Sequence, residues 1–482
     1  MRLLHPERDE QLELALEDVF IVPGYFDGQS RLEVSLVPDD FGGGCHPVVS
    51  ANMNAVTGKR MAETMARLGG LGVLPQDMSV ETVYKIVSHI QAAHSRFDTP
   101  LTVHPNAPLR EVAGILHKRN HDLVVVVEDE KPLGTITASD LRNRDQYTSA
   151  HRLMSVNPET LLEDCTYREA FDQMELHHVN AAPVVNRHGQ LVGVLTKSDA
   201  VRMDLIRPTL NASGRLMVAA ALGISSKAAA TAAALVEAGV GALVIDTAHG
   251  HQRRMLEAIR SVRQEVGNSV AVIAGNVCTA EGTRALIEAG ADVVKVNVGP
   301  GAMCTTRMQT AVGRPSFSSV RACAREAHLC GAHVWADGGV RHPRDVVLYL
   351  AAGASRVMVG TMLAGTFESP QDMREDASGR WYKENYGMAS ARAVEERNER
   401  EDAFDRAKKG VFREGISNSR IYLREGFESV GDILIDMISG IRSAFTYVGA
   451  ADLAEFRQKV LVGVQTSGGY GEGTPHGRVR GL

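Results

Sequence analysis

The chain has 482 residues, of which 44% are hydrophobic and 23% are charged, and its formal net charge is −6. This length exceeds what a single hydrophobic core usually supports, so we expect two or three domains. The ordinary composition excludes a disordered or fibrous protein. The mildly acidic balance gives no electrostatic reason to expect nucleic acid as a partner.

The first residues and the cysteines indicate the compartment. The opening sequence MRLLHPERDEQLELALED is charged where a signal peptide would be apolar, and no apolar run approaches the length of a membrane span. The six cysteines form no CxxC pair and no zinc-like spacing, which is typical of thiols in a reducing compartment. We therefore expect a cytoplasmic globular protein that does not bind a membrane.

Eight short apolar runs recur along the chain. In order they read HPVVSA, GGLGVL, GRLMVAAAL, GALVIDT, SVAVIAGN, ADVVKVNV, AHVWAD and SRVMVG. They are rich in Val, Ile and Ala and show little alternation, as parallel strands buried on both faces do. Helix-length segments that end in glycine, such as TAEGTRALIEAG, lie between most of them. This α/β pattern predicts a (β/α)8 TIM barrel, with an active site in the turns that follow the strands.

A long interval after GGLGVL interrupts this pattern and contains an internal repeat. PLGTITASDL and LVGVLTKSDA align at a spacing of 59 residues, which superposes Thr137 on Thr196 and Asp140 on Asp199. The repeated helix, strand, turn and strand resemble a tandem pair of CBS (cystathionine-β-synthase) domains. That resemblance implies a regulatory module that binds a purine nucleotide, ATP or GTP, at these four residues.

The interruption divides the chain into three segments. We predict that residues 1–93 form the first part of a catalytic barrel and that residues 94–204 form the inserted CBS pair. Residues 205–482 complete the barrel and include a flap at about 380–420 and a C-terminal tail. Because a regulatory insert lies outside the barrel, it says little about the reaction.

The segment VKVNVGPGAMCTTR carries the strongest chemical signal. A buried strand leads into a Gly-Pro-Gly turn, whose backbone can approach a ligand closely, and Cys304 follows it. Free backbone amides and the neighbouring Arg307 would favour the thiolate, which is the nucleophilic form of cysteine. An arbitrary cysteine is more often a small buried residue, but the glycine turn and polar neighbours disfavour burial here.

GPGAMCTTR resembles the catalytic loop shared by the inosine monophosphate (IMP) dehydrogenases and guanosine monophosphate (GMP) reductases. FIVPGY, SANMNAVT, GGLGVL, IAGNV, ADGGV, GTMLAGTFESP, YGMAS and SGIRSAFTYVGA extend the similarity over nearly the whole chain. The resemblance implies a purine-nucleotide oxidoreductase in which Cys304 forms a covalent thioimidate with C2 of the base. It also implies a homo-oligomer, either a tetramer or an octamer.

The resemblance implies further site residues. Thr306 and Glu414 would assist Cys304, and Asp246 and Asn276 would lie on the cofactor side. The nucleotide would contact its ribose, phosphate and base partners, which are Met53, Asp337, Gly338, Gly339, Gly360, Thr361, Met388 and Ala389. Without the resemblance, the glycines could be no more than tight turns, and Asp246 could be a helix cap. A potassium ion could bind at Gly299, Gly301 and Cys304.

Two activities share this covalent intermediate. The dehydrogenase oxidises IMP with NAD and hydrolyses the adduct with an Arg-Tyr pair, whereas the reductase converts GMP to IMP and ammonia with NADPH. The stretch ASARAVEERNEREDAFDRAKKGVFREG contains no tyrosine, and losing a positioned base should cost about 100-fold or more in hydrolysis. Asn52 and Tyr386 also match reductase motifs. We therefore favour a CBS-containing GMP reductase for purine salvage, although the familiar short reductases lack the insert.

Alternatives and departures accompany this interpretation. The chain could instead be an IMP dehydrogenase, a catalytically silent nucleotide sensor that works through its CBS pair, or an unrelated flavin-dependent barrel. Ala302 replaces a serine that is usual in the family's loop, and this removes one expected phosphate contact. Gly473 and Thr474 depart from the tail that contributes to the family's potassium site.

Overall fold

The computed structural model describes residues 1–28, 30–386, 404 and 418–475. The predictions for Met388, Ala389 and Glu414 lie outside these residues. The first part of the chain forms, in order, β1 (Arg2–Leu3), α1 (Pro6–Asp9), β2 (Val19–Val22), a 3₁₀ turn (Arg31–Glu33), β3 (Val48–Ser50), α2 (Lys59–Arg67), β4 (Leu71–Leu74) and α3 (Val80–Ala92).

The middle of the chain contains short strands and four helical segments. They are β5 (Leu101–Val103), α4 (Leu109–Leu116), β6 (Leu123–Glu128), β7 (Lys131–Thr137), a 3₁₀ turn (Ala150–Arg152), β8 (Ser155–Val156), β9 (Leu161–Leu162), α5 (Tyr167–Leu176), β10 (Ala181–Val185), β11 (Leu191–Thr196) and α6 (Lys197–Leu205).

Strands and helices then alternate. The elements are β12 (Ala219–Leu222), α7 (Ala228–Glu237), β13 (Ala242–Asp246), α8 (Arg253–Val266), β14 (Ala271–Val277), α9 (Ala280–Glu288), β15 (Val293–Val296), α10 (Thr306–Thr310), α11 (Ser316–Leu329), β16 (His333–Asp337), α12 (Pro343–Ala352), β17 (Arg356–Val359) and α13 (Thr361–Ala364).

The last described elements form a ribbon and the C-terminal helices. They are β18 (Arg374–Glu375), β19 (Trp381–Tyr386), β20 (Asn418–Tyr422), α14 (Val430–Val448), α15 (Leu453–Lys459), β21 (Leu461–Val464) and α16 (Ser467–Glu472). No single helix among the described residues has the length and apolar composition of a membrane span; one bent pair, α14 with α15, passes that test by length and composition only.

Eight parallel strands close into a barrel in the order β12-β13-β14-β15-β16-β17-β3-β4. Val357 pairs with Val48, and Ala219 pairs with Val73, so the two N-terminal strands complete the ring. Both faces of these strands are buried, which explains why their sequences are continuously apolar. The (β/α)8 fold is therefore confirmed, and all eight apolar runs contain its strands.

Several helices begin or end at residues that cap helices well. Ser79 accepts a hydrogen bond from the N–H of Thr82 at the start of α3, and Thr279 caps α9 in the same way. Gly353, with φ of +113°, ends α12 in a conformation that favours glycine. Ser79 and Thr279 lie in βα turns, at the end of the barrel where the strands finish, whereas Gly353 lies in an αβ turn at the opposite end.

The inserted region forms two separate sheets outside the barrel, β5-β6-β7-β8 and β9-β10-β11. In the first, Val126 pairs with Gly134, and the register shifts after Val126. In the second, Val184 pairs with Gly193, and the register shifts after Val184. The two repeats therefore share a strand pairing, including a register shift at the corresponding position.

Ion pairs connect this inserted region to the barrel. Glu63 of α2 is fully buried and accepts from Arg67 and from Arg119, and both arginines also donate to Asp98. Buried charges of this kind persist only when they are paired. The insert is therefore held to the helix that follows β3.

A second ionic cluster closes the lower end of the barrel, which we define as the end where the strands begin. Arg356 donates to Asp40 at 2.7 and 3.0 Å, and both side chains are fully buried. Arg356 also donates to the carbonyl of Gly43 at 2.7 Å, and the indole of Trp335 donates to Asp40 at 2.8 Å. These contacts close this end of the barrel with a hydrogen-bonded plug.

Candidate active site

A cavity of about 460 Å³ opens at the upper end of the barrel, where the strands finish. This is the end at which TIM barrels carry their active sites. Every predicted barrel-site residue that the structure describes lines this cavity: Met53, Asp246, Asn276, Gly299, Gly301, Cys304, Thr306, Asp337, Gly338, Gly339, Gly360 and Thr361.

The loop after β15 presents Cys304 to this cavity. Gly299 has φ of +94°, and a Cβ there would lie 2.2 Å from Cγ of Arg307. Glycine is therefore favoured at this position by the positive φ, and it also leaves space for the aliphatic part of the Arg307 side chain. The N–H of Cys304 then donates to the carbonyl of Gly301 at 2.9 Å, which closes a tight turn just before α10.

The thiol of Cys304 is exposed, and its described partner is a hydroxyl group. Sγ donates to Oγ1 of Thr306 at 3.3 Å. No hydrogen bond joins Cys304 to Arg307 among the described residues, because the stem of Arg307 packs against Gly299 and Gly313 instead. The structure thus pairs the thiol with Thr306 rather than with the neighbouring cation expected from the sequence.

Asp337 ends β16 and faces the cavity with a side chain that is 21% exposed. Its Oδ2 accepts from Nδ2 of Asn276 at 3.0 Å and from Nζ of Lys295 at 2.6 Å. No described side chain donates to Oδ1. One carboxylate oxygen is thus fixed by the protein, and the other can accept from a bound hydroxyl group.

Asp246 ends β13 and is held from two sides. Lys295 lies 2.8 Å from its Oδ1, and Nδ2 of Asn52 donates to its Oδ2 at 3.0 Å. The carboxylate is therefore part of a hydrogen-bonded row at the cavity floor. Among the described contacts it accepts from these two side chains, rather than capping a helix.

Asn297 fixes the turn that follows Asp337. Its φ is +113°, and its Nδ2 donates to the carbonyl of Asp337 at 3.2 Å and to the hydroxyl of Tyr349 at 3.3 Å. Tyr349 in turn donates to the carbonyl of Gly338 at 2.9 Å. Burial raises the pKa of Tyr349, so this donor stays protonated.

Two glycine turns follow the neighbouring strands β16 and β17. Gly338 and Gly339 have φ of +81° and +79°, and Gly360 comes directly before Thr361. A Cβ on Gly360 would lie 3.4 Å from the sulfur of Met53. These backbones and Met53 therefore enclose one side of the cavity.

The loop that carries Cys304 also touches the base of the predicted flap. β19 and β20 pair in antiparallel fashion, and their ends at residues 386 and 418 flank residues outside the described part of the chain. Ser419 lies at the start of β20, and its hydroxyl contacts the sulfur of Met303 at 3.3 Å. The ribbon therefore lies directly beside the loop that carries Cys304.

The four predicted nucleotide-binding residues of the insert are placed elsewhere, in the two repeats. Asp140 accepts from the N–H and the hydroxyl of Thr137, both at 2.8 Å. Asp199 accepts from Thr196 at 2.8 Å and also from Arg202, which pairs with Asp432 of α14. The repeats thus match in the threonine–aspartate contact and differ in the added arginine.

Sequence reasoning missed Lys295 and Asn297. Lys295 is the charged residue of β15, inside the apolar run ADVVKVNV, and a charge inside a buried strand was the signal that could have revealed it. Asn297 follows two residues later, but its positive φ and its contacts depend on the folded turn.

Comparison with known proteins decides the family. The model of the IMP dehydrogenase / GMP reductase domain matches residues 13–476. The chain belongs to this family. The GMP reductase of Mycobacterium tuberculosis is 46% identical over 463 residues, which cover 96% of each chain. The IMP dehydrogenase of Halalkalibacterium halodurans is 36% identical over 435 residues, 89% of this chain and 88% of the other.

A solved structure of this family also resembles the whole chain. It is a cysteine-to-alanine variant of the Trypanosoma brucei GMP reductase in complex with guanosine 5′-monophosphate. The TM-score is 0.69 at 31% identity, and the match covers 99% of this chain and 100% of the other. The similarity to these family members therefore includes the inserted region. Residues 94–204 number 111, far more than the part of the chain that such a match leaves uncovered.

Proposed function

We propose that this protein is a GMP reductase, which converts GMP to IMP and ammonia with NADPH. The observation that carries the proposal is the 46% identity to a GMP reductase over 96% of both chains. The insert was the one feature that argued against a reductase. The match to the M. tuberculosis GMP reductase is long enough to include the insert. An exposed cysteine beside a threonine hydroxyl, above an aspartate-lined cavity, supplies chemistry that fits this reaction.

The nucleotide would bind across the cavity. Oδ1 of Asp337 accepts from the ribose hydroxyls, while the backbones at Gly338, Gly339 and Gly360, with the hydroxyl of Thr361, bind the 5′-phosphate. Met53 contacts the base, as Met388 and Ala389 would from the flap. In this proposed arrangement, C2 of the purine would lie beside the sulfur of Cys304.

Cys304 acts as the nucleophile. Its thiolate adds to C2 of GMP and forms a C–S bond, and the exocyclic amine takes up a proton and departs as ammonia. Thr306 passes the proton between the thiol and the departing amine, and Glu414 would serve as its partner. The product of this half-reaction is a thioimidate that joins Cys304 to C2.

The second half-reaction needs a hydride. Family members use a nicotinamide cofactor, and NADPH would supply the hydride to C2 when bound. NAD, the alternative cofactor, would instead accept a hydride in the dehydrogenase reaction. Oδ1 of Asn276 is buried and lacks a donor among the described residues, so it fits a carboxamide or hydroxyl donor of such a cofactor. Asp246 and Asn276 hold that side of the cavity, and the thiolate of Cys304 leaves as IMP forms.

The IMP dehydrogenase reaction remains the second candidate. The 36% identity to the H. halodurans enzyme and the shared family model favour it. It would use the same cysteine adduct and hydrolyse it. One observation argues against the dehydrogenase reaction. The stretch from Ala389 to Gly415 contains no tyrosine, so it cannot supply a water-activating Arg-Tyr pair.

The insert and the assembly complete the proposal. We propose that the two repeats form a CBS pair that binds ATP or GTP near Asp140 and Asp199, and that the enzyme is a cytoplasmic homotetramer or octamer. We also propose a potassium site at Gly299, Gly301 and Cys304, where the carbonyl of Gly301 already accepts from the N–H of Cys304. Titration with ATP or GTP during turnover tests the CBS site, and unchanged rates without binding would refute it.

Product analysis tests the reaction. The purified enzyme is incubated with GMP and NADPH, and IMP and ammonia are quantified by chromatography and an ammonium assay. The proposal predicts equal amounts of IMP, ammonia and oxidised cofactor. Formation of neither product under conditions where GMP binds would refute it.

A further inference from the structure

Lys295 is an ionisable residue in a place that ordinarily excludes charge. Its side chain is 3% exposed, and it lies on β15 between Val294 and Val296, which are fully buried. An ammonium group at such a site is costly unless carboxylates compensate for its lost hydration. The barrel therefore retains this charge because two partners hold it.

The two partners come from different strands and different sides of the site. Nζ lies 2.8 Å from Asp246 at the end of β13 and 2.6 Å from Asp337 at the end of β16. Asn52 donates to the outer side of Asp246, and Asn276 donates to Asp337. The five side chains form one continuous hydrogen-bonded row across the cavity floor.

The two carboxylates are more exposed to the cavity than the lysine. Asp246 and Asp337 are 18% and 21% exposed, whereas Lys295, which also lines the cavity, is 3% exposed. Burial alone would lower the pKa of Lys295, but the two aspartates outweigh it and raise the pKa above its ordinary value. The ammonium group is therefore expected to stay charged at neutral pH.

We propose that Lys295 is a positioning residue that fixes the ribose-binding Asp337 and the cofactor-side Asp246 with a single ammonium group. One donor that serves both carboxylates sets the distance between them and prevents Asp337 from rotating away from the ribose. Without it, two like charges would face each other across a poorly hydrated floor, and the geometry for hydride transfer would be lost. This inference rests on the ribose role of Asp337 in the proposed function.

The test is a comparison of two substrates. Lys295→Met removes the charge and keeps much of the length of the side chain, and each protein is assayed with GMP and with 2′,3′-dideoxyguanosine 5′-monophosphate. The unaltered enzyme should prefer GMP, because only GMP offers hydroxyls to Asp337. In Lys295→Met we expect kcat/KM for GMP to fall about 100-fold and the preference for GMP to shrink at least about tenfold.

A second buried lysine is the matched control. Lys383 is 2% exposed and donates to the carbonyls of Phe367 and Ser369, away from the cavity lining. Lys383→Met should keep the full preference for GMP, whatever it does to stability. Lys295→Arg, which keeps the charge, should recover part of the preference, and Lys295→Gln replaces Lys295→Met if the latter does not fold.

The outcomes are distinct. A Lys295→Met enzyme that keeps the preference of the unaltered enzyme overturns the positioning role, even if its overall rate is low, because a purely structural loss affects both substrates equally. Failure of the unaltered enzyme to prefer GMP overturns the ribose role of Asp337 and the inference with it. Failure to release ammonia from GMP overturns the proposed function alone. The same comparison of Lys295 variants is then made with IMP and its 2′,3′-dideoxy analogue, which also differ only in the ribose hydroxyls.

Discussion

The two ends of the barrel each contain a buried cation held by aspartate, and they differ in what the carboxylates face. At the upper end, Lys295 lies under Asp246 and Asp337, whose side chains are 18% and 21% exposed to the cavity. At the lower end, the side chains of Arg356 and Asp40 are both fully buried. The same kind of ion pair thus leaves carboxylates facing the cavity at the upper end, and at the lower end it is enclosed in the protein interior.

This difference teaches how to interpret a charged residue inside a barrel strand. A buried ion pair by itself does not identify a functional site, because the lower cluster joins two fully buried side chains, and neither of them lines the cavity at the upper end. The upper cluster leaves one oxygen of Asp337 without a described donor. Substitutions at the upper end should therefore reduce activity, and those at the lower end should reduce stability.

The largest expected effect is at Cys304. Cys304→Ala should lower GMP turnover by about 10⁴-fold or more, because no other group can form the C–S bond. Its thermal unfolding midpoint should match that of the unaltered protein, because the thiol is exposed. Steady-state assays and a thermal melt check both expectations. Cys330→Ala, at an exposed cysteine on α11's C-terminal end, is the control that should keep full activity.

Arg356→Met tests the lower end. It should reduce the free energy of unfolding by about 3–5 kcal/mol, because Asp40 would remain buried without its guanidinium partner. Urea denaturation measures the loss, and kcat of the folded fraction should not change. The double substitution Arg356→Met with Asp40→Leu should recover part of the stability. A large loss of kcat with unchanged unfolding would reverse the assignment of the two ends.

Thr306→Ala has a smaller effect, at the upper end. It removes the hydroxyl 3.3 Å from the sulfur of Cys304 and should lower kcat about 100-fold, which is typical for loss of a proton-transfer group. KM for GMP should change little. Thr306→Ser keeps the hydroxyl and should retain most of the activity. Equal losses for both variants would mean that the methyl group, and not the hydroxyl, matters.

Glu368 provides the smallest effect, and it lies at neither end. It is buried and accepts from the N–H of Val430, and burial raises the pKa of its carboxyl from 4.5 to about 7. A raised pKa in the folded state contributes stability below pH 4.5 that is lost as the pH rises through 7. Glu368→Gln should therefore gain stability relative to the unaltered protein between pH 5 and 7, by at most about 3 kcal/mol.

Urea denaturation across this pH range measures the gain from Glu368→Gln. Burial lowers the pKa of the nearby Lys383 from 10.5 to about 7, so its own contribution increases with pH mainly above this window. The activity at each pH should be the same for both proteins. A stability difference that is constant from pH 5 to 7 would contradict the assignment to Glu368.

The barrel could be predicted from the sequence because its strands are buried on both faces. Continuous runs such as GALVIDT and AHVWAD leave few alternatives to parallel strands between helices. The residues at the ends of these strands, such as Asp246 and Asp337, could be predicted for the same reason, since a barrel brings all such ends together.

What could not be predicted were the partners of those residues. Lys295 and Arg356 were part of apolar runs, and only the closed ring shows that one charge lies near the upper end and the other at the lower end. The preference of Cys304 for Thr306 over Arg307 likewise depends on where the Gly299 turn directs the arginine stem. Sequence spacing does not determine side-chain direction in an irregular loop.

The fate of the Cys304 adduct is the central claim, and one paired assay tests it most directly. The absorbance of the reduced nicotinamide ring is followed with GMP and NADPH in one mixture and with IMP and NAD in the other. We predict a decrease in the first mixture and no change in the second. An increase in the second mixture, with no change in the first, would show that the adduct is hydrolysed and would contradict the reductase assignment.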